Sequence, residues 1–294
     1  MGLKIDSFDI KIKGLKKEIR ILQISDLHLT CYDEFDIPLA KTELPARKEL
    51  FDKEIDNAYD RSKLLAEYYS FAEKNNCDIL LITGDLSDAP SNCNFKLISD
   101  VVKNSEMKTV FMLGNHDWTF SLDYQADKYF EYSYPKYADI FGERSVDDEG
   151  NVHIQWNSDN EVYDFGEFVL FCVDNGHEKY SEHSLEKLKC LRDEKIPVVL
   201  CTHIPFSTET AKEDVKSMWG RDICIGSSDI ECDDTTKEFL NIIFSSDTPV
   251  NTVICGHTHQ SHIDKLCDAN NTVQYTLGAS YQGYARIFNI MGDK

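Results

Sequence analysis

Apolar residues along this chain gather in short runs that stop at Gly, Asp, Asn or His, with longer amphipathic stretches between them. Residues 5–13 alternate through Ile10, Lys11, Ile12 and Lys13, which predicts an edge strand. Gly14 with Lys16, Lys17 and Glu18 makes the turn, and Ile19–Ile24 forms a second strand ending at Ser25-Asp26. A helix is predicted from about Tyr59 to Lys74, with Leu64, Leu65, Tyr68, Tyr69 and Ala72 on its core face. Cys77–Thr83 is a continuous apolar strand closed by Gly84-Asp85, a helix fits 94–104, and Val110–Leu113 is a strand closed by Gly114-Asn115. Strands that are apolar throughout predict parallel pairing with cover on both faces.

The middle is less regular. Val152–Trp156, Glu161–Phe165 and Phe168–Val173 predict antiparallel strands with turns at Asp147–Gly150 and Gly166. A helix over Ser184–Asp193 leads into the strand Pro197–Cys201, which ends at His203. A helix over Thr235–Phe244 precedes Thr252–Cys255 and Gly256-His257, and Val273–Leu277 and Tyr284–Ile290 read as further strands. Two stretches, 30–58 with Pro38 and Pro45 and 205–232 with Trp219, Gly220 and Gly226, read as polar excursions over the surface. Without repeats, low-complexity tracts or a composition shift, residues 1–294 are expected to form one domain.

Charge narrows the partners. The chain has 52 acidic residues against 31 Lys plus Arg, a formal net charge of −21. A polyanion of this size repels duplex nucleic acid and anionic membrane, both of which are held mainly by Lys and Arg. A small or modest phosphorylated substrate suits it better, and oligomeric state has no signal. The 10 cysteines include no Cys-x-x-Cys pair, and Cys172, Cys201 and Cys255 sit in apolar strands, so reduced structural thiols are expected. Lys4, Asp6 and Asp9 break any signal-peptide pattern, and no apolar run approaches a bilayer span of roughly 20 residues, giving a cytoplasmic expectation.

Five segments carry the candidate chemistry: Ser25-Asp26-Leu27-His28, Gly84-Asp85, Gly114-Asn115-His116-Asp117, Thr202-His203 and Gly256-His257-Thr258-His259. Each follows the end of an apolar strand, and in open α/β sheets ligands gather outside the carboxyl ends of strands. Mixed carboxylate and imidazole donors suit a divalent cation such as Mn²⁺, Fe²⁺ or Zn²⁺. A carboxylate shared by two cations holds them about 3.5–4 Å apart for in-line displacement at phosphorus. Asp85, central in sequence and sheet order, is the natural bridge. Singly these segments are weak signals, because Gly-Asp after a strand is commonly a turn and an Asp-x-His is commonly surface chemistry.

In order and spacing, the five segments resemble those of the calcineurin-like metallophosphoesterase superfamily over roughly Ile19 to Ile290. The resemblance implies an α/β fold in which a two-sheet β-sandwich is flanked by helices, with the active site at strand C-terminal ends. It implies one divalent metal held by Asp26, His28, Asp85 and His259, and a second by Asp85, Asn115, His203 and His257. Mn²⁺ is the first expectation, with Fe²⁺ or Zn²⁺ as alternatives. The implied activity is hydrolysis of a phosphomonoester or phosphodiester by metal-activated water. His116 would face the leaving oxygen, and Asp117 would orient its imidazole. The Ser/Thr protein phosphatases of that superfamily carry an Arg soon after the aspartate matched here by Asp85, whereas this chain runs Asp88-Ala89-Pro90, against that activity.

Other residues have two readings. Asp88 either supports the metal ligands or makes a turn. Trp219 and Arg221 either grip a substrate or pack a lid, while His177, His183 and His262 read as ordinary polar histidines and His153 as structural. Two rival functions share the motifs. A nuclease would need a basic track that the acid-rich stretches 30–58 and 205–232 do not supply, and an inactive scaffold would have lost ligands that are all present here.

Overall fold

Ile79–Thr83 is apolar at its first four positions because both its faces are covered: Leu80 and Ile82 pack under helices, while Ile79 and Leu81 face a second sheet. The computed structural model describes residues 2–55, 60–118, 126–146, 152–155, 161–266 and 268–293. In chain order it begins with β1 (Lys4–Ile12), β2 (Ile19–Ile24), α1 (Pro38–Glu54), α2 (Leu64–Lys74), β3 (Ile79–Thr83), α3 (Asn92–Lys103) and β4 (Thr109–Met112). Next come α4 (Ala126–Phe141), β5 (Glu143–Val146), β6 (Val152–Gln155), β7 (Glu161–Asp164), β8 (Val169–Val173), α5 (Glu182–Asp193) and β9 (Val198–Thr202). The last are α6 (Lys212–Trp219), α7 (Asp234–Ile243), β10 (Val250–Cys255), β11 (His262–Lys265), β12 (Val273–Thr276) and β13 (Tyr284–Gly292).

Two mixed sheets stack face to face. The first runs β1-β13-β2-β3-β4 and the second β11-β12-β10-β9-β8-β7; β5 and β6 pair separately. Between the sheets, Ile19, Ile21, Leu81, Val110 and Met112 meet Leu170, Cys172, Val199, Cys201 and Ile254. The opposite faces pack under helices, the first with Tyr68, Ile98 and Tyr137 and the second with Leu188, Phe239 and Ile243. The fold is α/β, two sheets between helices. β1 is an edge strand, and it pairs in parallel with β13. The antiparallel reading of the middle holds for β7 with β8, and β6 is antiparallel too, but with β5 in a separate pair and not with β7; β8, β9 and β10 then run parallel.

Stretch 30–58 corrects the sequence reading, because much of it is helix α1. Pro38 occupies the first helical turn, where its missing N–H would be unsatisfied anyway. Pro45 lies inside the helix and leaves the Lys41 carbonyl without its usual partner. Among its described side chains only a narrow stripe, Ala40, Leu44 and Phe51, is buried, so the charged remainder hid the period. Stretch 205–232 is likewise partly ordered as α6, where Val215 packs with Ala211, Ile223 and Cys224. Helix α4 has no counterpart in the sequence reading, and Pro135 inside it is the reason. The expected turn at Asp147–Gly150, Trp156 and the side chain of His153 lie outside what is described. All nine described cysteines are free thiols. None of the described helices is long and apolar enough to cross a membrane.

Tyr68 of α2 reaches into the closing loop, its hydroxyl 2.7 Å from the Ser280 carbonyl and 3.0 Å from that of Tyr284. That loop supports the site, because Ser280 N donates to the Ser25 carbonyl and Tyr281 N to that of Asp26. Tyr68→Phe is expected to cost about 1 kcal/mol in urea unfolding. An unchanged midpoint would show that the hydroxyl contributes nothing there.

Candidate metal centre

Parallel neighbours β2 and β3 keep pairing after their strands end. Asp26 N donates to the Gly84 carbonyl, His28 N to Asp85 and Leu29 N to Leu86. This ladder sets Asp26 and His28 beside Asp85, in register. Across the sandwich, Gly256 N donates to the His203 carbonyl, and His257 N donates to Asp26 Oδ2 at 2.9 Å, which brings the second sheet's strand ends to the same place. The turns are so tight that a Cβ on Gly256 would overlap Ser25 Oγ and Asp26 Oδ2, and one on Gly114 would overlap the Asp85 carboxylate. Glycine is required at both by close approach.

Five of the seven candidate ligands are left-handed: Asp26, His28, Asp85, His257 and His259 have φ between 45° and 70°. Non-glycine residues adopt that region at a strain on the order of 1–3 kcal/mol each, and it clusters where function dictates backbone geometry.

The donor atoms converge in two groups. In the first, His28 Nε2 lies 3.0 Å from His259 Nε2, 3.9 Å from Asp26 Oδ1 and 3.6 Å from Asp85 Oδ2, with His259 Nε2 3.5 Å from Asp26 Oδ1. In the second, His203 Nε2 lies 3.2 Å from Asp85 Oδ2, 3.2 Å from Asn115 Oδ1 and 3.2 Å from His257 Nδ1. Asp85 Oδ2 belongs to both. Its other oxygen, Oδ1, accepts from His116 N at 2.8 Å. Bonds of about 2.1 Å to one cation put neighbouring ligands about 3.0–3.4 Å apart, so spacings of this order fit metal coordination.

The tautomers agree. His203 Nδ1 donates to the Thr83 carbonyl at 2.8 Å, and His28 Nδ1 to Asp88 Oδ1 at 2.9 Å, so each Nε2 lone pair points inward. Burial opposes charge on His203, but the Asp85 carboxylate outweighs it and lifts the imidazole to about 10. Burial, then the His203 charge, push His257 down to about 3. Burial would raise Asp26, yet the hydrogen bond from His259 and the His203 charge hold it at about 2. Two carboxylates, an amide oxygen and four imidazoles at these spacings are a donor set that divalent cations take. The residues fit divalent metals.

Asp117 does not take the role expected for it. Its carboxylate accepts from Ser87 N at 2.8 Å, Gly114 N at 2.9 Å and Tyr137 Oη at 3.1 Å. It faces inward and stitches the loops after β3 and β4 to α4, while the neighbouring His116 faces the cleft. Burial and the Asp85 charge raise Asp117 to about 7. Asp88 orients His116 instead: its carbonyl is 3.1 Å from His116 Nδ1 and its Oδ1 3.4 Å. Asp88 also receives both Nε and Nη2 of Arg47, each at 2.7 Å. His116 is itself close enough to His28 and Asp85 to form a third potential cation grouping.

Helix α1 supplies two residues that sequence reasoning missed, Arg47 and Phe51. Phe51 stacks on His28 at 4.9 Å between centroids and meets Tyr281 edge-on at 4.8 Å. Their signal was the spacing Ala40, Leu44, Arg47, Phe51 on one helical face. Of the other histidines, His177 stacks on Trp118 at 4.0 Å, His262 sits 4.0 Å from Asp214, and His183 is exposed in the first turn of α5.

Residues 19–261 match a family model described as calcineurin-like phosphoesterase. No curated protein matches the chain. Among solved structures it is similar to a dimetal phosphatase from Danio rerio, at 11% identity over 90% of this chain and 88% of that one, TM-score 0.45. It is similar also to a protein from Thermus thermophilus, at 10% identity over 91% of this chain and 92% of that one, TM-score 0.44. A third is a purple acid phosphatase from yellow lupin (Lupinus luteus) seeds, at 12% identity over 94% of this chain but 44% of that one, TM-score 0.48.

Proposed function

This chain belongs to the calcineurin-like phosphoesterase family, and from that premise we propose that it hydrolyses a phosphomonoester or phosphodiester with two divalent cations. Asp26, His28, Asp85 and His259 would hold one, and Asp85, Asn115, His203 and His257 the other. The observation that carries this is the single oxygen Asp85 Oδ2, 3.6 Å from His28 Nε2 and 3.2 Å from His203 Nε2. When bound, such a pair supplies Lewis acidity and an activated water for in-line displacement.

The chain's own residues do the rest. Because the Asp88 carbonyl only accepts, His116 Nδ1 carries the hydrogen between them, which turns Nε2 to the cleft, where the imidazolium form gives its Nε2 proton to a leaving oxygen and returns to the neutral ring. Arg47 holds Asp88, and Asp88 in turn fixes both His28 and His116. The net charge of −21 favours a small substrate over a polynucleotide. A cytoplasmic setting and Mn²⁺ as the metal are part of the same proposal.

Chromogenic mono- and diesters, assayed after chelation with Mn²⁺, Fe²⁺ or Zn²⁺ restored in turn, test it. Mn²⁺ is expected to restore hydrolysis of at least one ester type and to raise the melting temperature of the chelated protein by several degrees. Restoration of neither activity nor stability by any of the three would overturn it.

A further inference from the structure

Trp219 ends α6 at the edge of the donor cluster and has no part in holding cations. Its ring stands edge-on to His259, with centroids 5.2 Å apart and planes at 77°, and the residue is still 40% exposed. An exposed indole is usually free to turn. This one is held, because Nε1 donates to the Thr258 carbonyl at 3.0 Å, between the two imidazoles of the His-Thr-His segment. The helix that carries it is tied to the same loop: Gln260 Nε2 donates to the Asp214 carbonyl at 3.4 Å, and His262 Nε2 lies 4.0 Å from the Asp214 carboxylate.

Gly220, with φ 75°, then turns the chain so that Arg221 reaches Glu178 at 3.3 Å. Glu178 belongs to the loop whose Gly176 packs against the Asn115 backbone. Residues 219–221 thus connect the loop of His257 and His259 with the loop behind Asn115. A lid packed shut would hide the indole. Here its orientation is fixed while part of its surface stays open to solvent.

An indole so fixed is a stacking platform for planar rings, whatever their hydrogen-bonding edge. We propose that Trp219 is a substrate-binding residue that stacks the planar aromatic ring of the ester's leaving group, so that aromatic phosphoesters are preferred over aliphatic ones. The inference rests on the hydrolase reading above, because the ring is placed relative to His259. The ring itself can belong to an aryl alcohol or to a nucleobase.

Binding without turnover is the primary test. Phenylphosphonate and methylphosphonate, whose C–P bonds are not esters, are titrated calorimetrically into the Mn²⁺-loaded full chain. Wild type is expected to bind the phenyl compound at least about fivefold tighter, Trp219→Ala to lose that preference, and Trp219→Phe to keep most of it. Turnover identifies the source: phenyl phosphate is compared with glycerol 3-phosphate, and adenosine 5′-monophosphate with ribose 5-phosphate. The aromatic member that loses roughly tenfold through KM in Trp219→Ala names the ring. No phenyl preference in binding together with no preference for the aromatic member of either ester pair in wild type overturns the proposal. So does equal loss on aromatic and aliphatic ligands in Trp219→Ala, which would make the indole a mere support for His259. A wild type that prefers phenylphosphonate yet hydrolyses no ester would sink the hydrolase reading and, with it, the leaving-group role, leaving Trp219 only as a platform for aromatic ligands.

Discussion

Asp85→Asn is expected to weaken both cations together and to abolish turnover, with the fold retained. The reason lies in how the two oxygens of that carboxylate are used. Oδ1 accepts from His116 N, and an asparagine carbonyl can keep that bond. Oδ2 faces His28 and His203 at once, and an amide nitrogen there offers hydrogens instead of an anionic lone pair. Losing an outer support of a metal ligand typically lowers affinity about 10–100-fold, and losing a shared ligand should exceed that at each site. Stability of the metal-free protein should change little, because the substitution removes the opposition of Asp85 to the charges of Asp26 and Asp117 together with its attraction for His203. Metal titration by calorimetry, with circular dichroism as the check on folding, reads the result. Loss of one cation with the other unchanged would remove Asp85 from the bridging position.

His116→Ala is expected to keep both metals and lose about 10²–10⁴-fold in kcat, the usual contribution of a positioned proton donor. Its imidazole is 24% exposed at the cleft, whereas the neighbouring Asp117 is fully buried and committed to other partners. His28 keeps its own hydrogen bond to Asp88 in this variant, so the first donor group should be undisturbed. The competing arrangement is the grouping of His28, Asp85 and His116. Metal analysis of the purified variant separates the two, since a depleted site would make His116 a ligand. A kcat within twofold of wild type with both metals bound would leave it without a chemical role.

Much of the framework was legible because parallel strands covered on both faces must be apolar at every position. Ile79–Thr83 and Val198–Thr202 could hardly be anything else once their flanking helices were placed. The donor segments were legible for a related reason: each sits just past such a strand, where side chains from distant sequence meet. Helix α1 was not legible. Its buried stripe is only a few residues wide, its two prolines read as breaks, and its partners Ala89, Ala279 and Tyr281 lie far away in sequence. The exchange of roles between Asp117 and Asp88 was hidden too. Adjacency in sequence suggested that Asp117 serves His116, but consecutive residues in a tight turn point to opposite sides, and only the fold shows Asp88 beneath that ring.

The place of β13 has a consequence for how the molecule comes into being. It lies between β1 and β2, so β1 has a sheet partner that follows it in the chain only after every other strand of both sheets. At about 5–20 residues per second, a ribosome needs tens of seconds to deliver that partner. Through that interval the backbone of β1 has no partner in its sheet, and Ile10 and Ile12 have no complete core to enter. His257 and His259 emerge only shortly before β13. A nascent chain therefore cannot assemble the complete set of donors until His259 has been translated.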